Sequence, residues 1–527
     1  MDAGKSDAGT GDDDDAGSAD AAVHYGGLEA NKAPADVSFD LFAESGHRFW
    51  FEVSDEQLAR INGGEAGGFF GGGDIYEPAG DKTYVQPMLL QLAGGQDVID
   101  YGKVQVRLVG ALTRRNWDTT HIPNLRLDAD EFVDKQRVGG YEHLRLNNSL
   151  VGTIFREHLA HEIYRALGYP ALRSSYAWVG SNVWGNDAWV PMTLIEVYKR
   201  HFCTENQATL GSTCTNMWEF ANDLTQPLPV DACQVSSCDN TTLSALIEAL
   251  RGLPRGPGFA KKLDKIVDWK MFHQFQCISW MLATPDDPIH AGNNLVIAER
   301  DSDHKLVWLP YSVDISSQTD VPDQRVPLTG STVLPRGCQS DPECWKDTLA
   351  TCDDLIGKLE QVNPRKMLSD TVAQLEALGM LRDGDQERAE QLDHWYEQQQ
   401  ASLRSELEYF SHIPDVTGAC PENTVRCQDG ACAKQATCDA RSCPTDKPWC
   451  PARGACVSRK YDTCPTCPKA KPFYCGVTKA CVLDDVTCND ECLTTAGPGF
   501  SYCALFGSCV ADGACFDDGG GGGPIID

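Results

Sequence analysis

The chain has no run of about 20 apolar residues, the length that a membrane-crossing helix requires. Its most apolar stretch, CISWMLA at 277–283, is far shorter. Positive charge is also scarce, with 45 Lys and Arg against 76 Asp and Glu and a net charge of −31. Such a surface repels phosphate backbones and anionic lipid, which argues against nucleic acid and membrane surfaces as partners. Three catalytic signatures are missing as well: there is no Gly-x-Ser-x-Gly elbow, no His-Glu-x-x-His helix and no Walker loop, so the common hydrolase and nucleotide-binding templates have no foothold. The 12 histidines are scattered. Only His158 and His161 lie at helical spacing, and without a third ligand they read as polar-face residues.

What the chain has in abundance is cysteine. Of 24 cysteines, 16 fall between Cys420 and Cys515, a density that belongs to an oxidising compartment. The expectation is therefore a secreted or cell-surface protein. The first residues carry no basic head followed by an apolar stretch, so a signal peptide is expected to have been removed. Residues 1–35 are Asp, Gly, Ala and Ser with almost nothing to bury, the composition of an acidic disordered tether. Together with the tandem cysteines they suggest a bacterial surface protein, tethered as a processed lipoprotein.

At 527 residues the chain is long enough for one large domain with accessory modules. Residues 36–415 read as that domain. VQVRLVGAL and PNLRLDA have strand-like spacing, and NNSLVGTIFREHLAHEIYRALGYP reads as a helix. Its cap would be Asn148 or Ser149, its apolar face Val151, Phe155, Leu159, Ile163 and Leu167, and its stop Gly168 and Pro170. SYAWVGSNVWGNDAWVPMTLIEVY follows as two strands around a turn. A cysteine-bearing insertion holds Cys203, Cys214, Cys233 and Cys238, and Cys277 lies in an apolar helix, where a buried thiol is the simple reading. NNLVIAER and HKLVWLPYSVD, joined by DSDH, read as a hairpin. Residues 346–411 read as helical, with Leu392, Trp395, Leu403 and Leu407 facing inward. Strands, a helix, more strands and a helical end make an α+β unit.

The cysteines of residues 416–517 repeat. Four sets of four begin at Cys420, Cys443, Cys467 and Cys492, spaced 23, 24 and 25 residues apart. Units this small lack a core of their own, so two disulfides in each are the natural source of rigidity. Zinc is the competing account, because CPTC at 464–467 has ligand spacing, but that pair straddles two units and the tail has no histidine. Residues 518–527 read as a flexible tail.

The stretch DDPIHAGNNLVIAERDSDHKLVWLPYSVD, at 286–314, concentrates acids and amides at both ends of the hairpin. On its own this is turn chemistry. Taken with VQVRLVG, NLRLDADEF, LRLNNSLVGTIFREHLAHEIYRALGYPALRSSYAWV and VPMTLIEVYKRHF in that order, it resembles the spore-coat CotH kinase-like family over roughly residues 85–320. The resemblance implies an atypical protein-kinase-like domain with a helical C-terminal part. It also implies transfer of the ATP γ-phosphoryl to Ser or Thr of a protein with Mg or Mn, and a set of site residues. Asp286 would be the catalytic Asp, with Asp287 the alternative; Asn294 and Asp314 would hold metal, and Glu196 would be the acidic partner of a cation. The chain departs from the family pattern at Val109, where an Arg stands before Gly, at Ile122, where a phosphate-facing Lys stands, and at Ser312, where the first Asp of the final motif stands. Arg114, Arg115, Arg126 or Lys199 would then supply the missing cation. These departures, and the scarcity of ATP outside the cell, sustain a second expectation: a catalytically silent kinase fold that binds a surface protein or glycan.

Overall fold

In the computed structural model, residues 26–63, 83–109, 115–149 and 153–411 are described, apart from short breaks at 221–223, 225–227, 230–231, 236, 254–255, 318–325 and 327; beyond 411 only short strands are described. Arg114, Val151, most of the acidic tether, the final tail and the side chains of the cysteine repeats lie outside the described residues.

Nine strands form one sheet: β1 (His47–Phe51), β2 (Tyr84–Val85), β3 (Met88–Gln91), β4 (Val98–Asp100), β5 (Val104–Val109), β6 (Asn124–Asp128), β7 (His143–Asn147), β8 (Ser174–Ser181) and β9 (Trp189–Glu196). Their order is β2-β5-β6-β7-β9-β8-β1-β3-β4. Only β1 and β8 run parallel; the other pairings in this sheet are antiparallel. The strict period of two sorts side chains to opposite faces. One face of β5, β6 and β7 carries Val104, Val106, Leu108, Leu125, Leu127, Leu144 and Leu146, all buried in a core with Ala177, Val179, Met192 and Leu194. The other face is polar. A second sheet, β10 (Cys214–Phe220), β11 (Leu295–Arg300) and β12 (Leu306–Leu309), is antiparallel throughout, and the last two strands are the expected hairpin.

The helices are α1 (Asp55–Asn62), α2 (Arg156–Ala166), α3 (Arg200–Glu205), α4 (Gln207–Leu210), α5 (Thr241–Gly252), α6 (Phe259–Leu263), α7 (Trp269–Met281), α8 (Val333–Gln339), α9 (Pro342–Val362), α10 (Pro364–Ala377) and α11 (Asp385–Ser411). α2, α5, α7 and α9 to α11 share a second core with the three-stranded sheet. Leu392, Leu403 and Leu407 are buried in it, with Trp395 packed against its edge. Disulfides join Cys203 to Cys214, Cys233 to Cys238, Cys277 to Cys352 and Cys338 to Cys344. Cys277 is therefore a half-cystine. Among the described residues no helix is long and apolar enough to cross a membrane.

Two sequence expectations about local structure are corrected. α2 begins at Arg156 with Phe155 at its cap, not at Asn148 or Ser149. The Asn-Asn-Ser stretch is committed elsewhere: the Asn148 backbone N–H donates to Asn124 at 2.8 Å, the Asn148 amide donates to the Ile122 carbonyl at 2.8 Å, and Ser149 turns left-handed at φ 54°. Tertiary hydrogen bonds thus outcompete a cap. The strand after Trp308 ends at Leu309, and Asp314 sits in a 3-10 turn, Val313–Ile315, behind Ser312 at φ 50°.

In the tail, one short antiparallel hairpin falls within each set of four cysteines: Val425–Arg426 with Cys432–Ala433, Trp449–Cys450 with Ala455–Cys456, Phe473–Cys475 with Ala480–Val482, and Phe500–Cys503 with Ser508–Ala511.

Candidate active site

The polar face of the large sheet carries a row of like charges. Arg107 of β5 lies directly opposite Arg126 of β6, which lies directly opposite Arg145 of β7. Cβ atoms so paired are about 5 Å apart, and like charges placed there repel. All three arginines are partly buried, the Arg145 side chain at 12% exposure. Lys199, at the cap of α3, reaches the same row: burial first, then Arg126 and Arg107, lower its pKa to about 8. A lysine held down by neighbouring arginines marks a region of positive potential.

Acids face this row. Glu157, on α2, is buried and lies 3.7 Å from the Arg145 guanidinium, while accepting a hydrogen bond from the Asn147 amide. Burial pushes the Glu157 carboxyl up, Arg145 opposes that, and Asp314 adds to it. Tyr311 lies under Arg145, its ring centroid 5.8 Å from the guanidinium carbon. A buried strand cation held by a helix carboxylate is the arrangement that phosphoryl-transfer sites use to aim a charge at phosphate oxygens.

The loop between α7 and β11 supplies the rest. Asp286 accepts from the Asn293 amide at 2.8 Å and the Asn294 amide at 3.1 Å, and Asn294 also donates to the Asp286 carbonyl at 2.7 Å. Burial raises the Asp286 pKa, and Asp287 and Asp314 add to the rise. Asn294 spends its amide nitrogen on Asp286, which leaves its carbonyl oxygen as the atom for a cation. Asp314 accepts from Ser312 at 3.1 Å and is close enough to influence Asp286, Arg145 and Glu157. Non-glycine residues at positive φ cluster in these segments: Ala283, Asn294, Ser312 and Ser317, with Ser149 beside Asn147. Backbone strain of this kind is concentrated at functional loops and persists only where the surroundings enforce it.

The structure therefore brings Asp286, Asn294 and Asp314 into one neighbourhood and places Arg126 and Lys199 together on the sheet. Asp287 has another role. It is 3% exposed and accepts from Ser279, from the backbone of Ile289 at 3.0 Å and from the backbone and ring of His290 at 2.8 and 2.9 Å. It shapes the loop and has no oxygen to spare. Glu196 is displaced from the site: it pairs with Leu144 in register, so it faces away from Arg145, and it accepts from the Arg173 backbone at 3.1 Å. Its expected place beside a cation is taken by Glu157. Arg115 is exposed. Ile122 packs against the core of the large sheet, as its side chain requires. His158 and His161 are not polar-face residues. His161 is fully buried and, by burial, its pKa falls to about 3.

Sequence reasoning missed Arg107, Arg145 and Glu157, and read Asn293 as a turn former only. A signal existed for the arginines: Val-Arg-Leu, Leu-Arg-Leu and Leu-Arg-Leu recur at 106–108, 125–127 and 144–146.

No protein-family model matches the chain, and no curated protein matches it. Among solved structures, a proinflammatory kinase, CtkA, of Helicobacter pylori aligns at 10% identity and a TM-score of 0.29, covering 55% of this chain and 94% of its own. The HipA–HipB toxin–antitoxin system of Shewanella oneidensis MR-1, with its operator DNA, aligns at 10% identity and a TM-score of 0.31, covering 70% of this chain and 74% of that one. Superpositions this loose fix neither fold nor activity, and the functional reading rests on the residues described above.

Proposed function

We propose that this chain is a secreted or surface-displayed protein-kinase-like phosphotransferase that takes ATP with Mg or Mn and modifies Ser or Thr of a protein. The observation that carries the reading is the arginine row, with Lys199, set against Asp286, Asn294 and Asp314. Phosphoryl transfer is mostly positioning and charge stabilisation. Arg107, Arg126, Arg145 and Lys199 supply the cations for phosphate oxygens, with Glu157 orienting Arg145. Asn294 and Asp314 supply oxygen donors for a divalent cation, which neutralises phosphate charge when bound. Asp286, its pKa raised by burial, aligns the acceptor hydroxyl and takes its proton. The four disulfides support an oxidising compartment.

The test is calorimetric titration of the oxidised protein with ATP in Mg, in Mn and in neither. The expected result is metal-dependent binding that is lost in Asn294→Ala and Asp314→Ala. A second reading, a catalytically silent fold binding a surface protein or glycan, draws on Ile122 in the core and Ser312 in place of an acid. Absence of ATP binding under all three conditions would favour it.

A further inference from the structure

Glu196, displaced from the nucleotide side of the sheet, stands at the centre of a different constellation. A carboxylate oxygen of Glu196, a ring nitrogen of His201 and a carboxylate oxygen of Glu205 lie within 4.8 Å of one another. The chain brings them together simply. Glu196 is the last residue of β9, and His201 and Glu205 sit four apart on α3, hence on one helical face. His201 lies 3.0 Å from Glu205, and its ring is held edge-on against Tyr141 at 5.0 Å.

A second observation points to a missing occupant. Glu196 is 2% exposed, and its Oε1 is buried with no hydrogen-bond partner, its other oxygen taking the Arg173 backbone N–H. An ionised carboxylate left so is costly unless a cation arrives. The nearest guanidinium is engaged elsewhere: Arg173 holds Asp40 at 2.6 Å and the Tyr141 hydroxyl at 2.8 Å, and reaches Glu205 only at 4.0 Å. His201 and Glu205 are about one-third exposed, at 38% and 35%, which gives an ion a way in.

The geometry points to Glu196, His201 and Glu205 as the ligands of a divalent transition-metal ion, zinc by the chemistry of one imidazole and two carboxylates, with water completing the shell. The other three-residue groups fit less well. Cys338 and Cys344, beside His273, are joined in a disulfide, and Asp128, Asp130 and His143 are each only partly buried, with Asp128 already paired to His143 at 3.3 Å. An ion between β9 and α3 would fix the first turn of α3, whose cap is Lys199.

The test uses the oxidised full chain, stripped with a chelator and titrated with zinc in competition with a chromogenic chelator, without nucleotide. One tight equivalent is expected, weakened at least tenfold in His201→Gln and in Glu205→Gln, both surface changes that leave the core intact. Zinc affinity unchanged in both variants, or lost in Asp130→Asn instead, overturns the assignment, whatever the outcome for ATP.

Discussion

Lys199 offers the sharpest quantitative handle on the nucleotide reading, because its charge changes within an accessible pH range. With a pKa of about 8, it is about three-quarters protonated at pH 7.5 and about one-tenth protonated at pH 9. The terminal phosphate of ATP titrates below this window, so its charge is constant across it. If the protonated amine is required at the phosphates, affinity follows the protonated fraction and falls about eightfold from pH 7.5 to pH 9. Calorimetry at the two pH values, in buffers of different ionisation enthalpy, should show that fall together with proton uptake on binding. Lys199→Arg keeps its charge throughout and should be flat with pH. Lys199→Met should be equally flat, at or below the affinity that the parent protein shows at pH 9. A slope of the same size in Lys199→Arg would refute the reasoning, because the titrating group would lie elsewhere. Stability changes in the opposite sense. The folded state gives up this proton at a lower pH than the unfolded chain, so the cost of burying the charge is full below pH 8 and is relieved as pH rises toward 10.5. Lys199→Met should therefore stabilise the protein near neutrality, by at most about 3 kcal/mol and less to the extent that water reaches the amine.

Asp286 and Asp287 should separate cleanly. Asp286→Asn leaves the loop folded and ATP affinity within a few-fold, and abolishes transfer to a protein acceptor; Asp287→Asn weakens several buried hydrogen bonds at once and lowers stability by about 3 kcal/mol in urea unfolding. The disulfides should rank by loop length. Cys277–Cys352, at a separation of 75 residues, is expected to contribute about 4.5 kcal/mol and Cys233–Cys238, at 5, about 2 kcal/mol; paired Cys→Ser variants compared by urea midpoints test this, and the reverse order would refute it.

The parts of this protein that were legible in its sequence are those fixed by local periodicity. The β8–β9 pair, the β11–β12 hairpin and the helical character of residues 346–411 each follow from spacing within a short window, although the division of the last into three helices does not. The start of α2 did not, because Asn147, Asn148 and Ser149 have capping chemistry but are held by Asn124, Ile122 and a left-handed turn, partners distant in sequence. The arginine row was visible only as three separate tripeptides, since alignment of Arg107, Arg126 and Arg145 depends on the register of three strands. Glu196 shows the limit most clearly. Chain order put an acid close before Lys199, but strand parity turns it to the opposite face, and a one-residue shift would reverse that. Glu157, the acid that meets Arg145, lies in a helix whose register no strand pattern reveals.

The short segment from Glu196 to Lys199 links the two sites this structure suggests, and the link can be measured. Glu196 ends β9 on one face of the sheet, and within three residues Lys199 has returned to the arginine side and caps α3. The Cys203–Cys214 disulfide ties α3 to β10 from its far end, so an ion held by Glu196, His201 and Glu205 would fix the near end and restrict where the Lys199 amine can reach. Zinc should then tighten ATP binding by a few-fold, through positioning alone and without touching nucleotide. Linkage requires that ATP tighten zinc by the same factor. Both arms can be titrated on one preparation, and His201→Gln should remove the coupling while retaining the ATP affinity of the zinc-free protein. If zinc binds at this cluster and ATP affinity does not move, α3 is already rigid without the ion, and the metal serves the stability of the sheet edge alone.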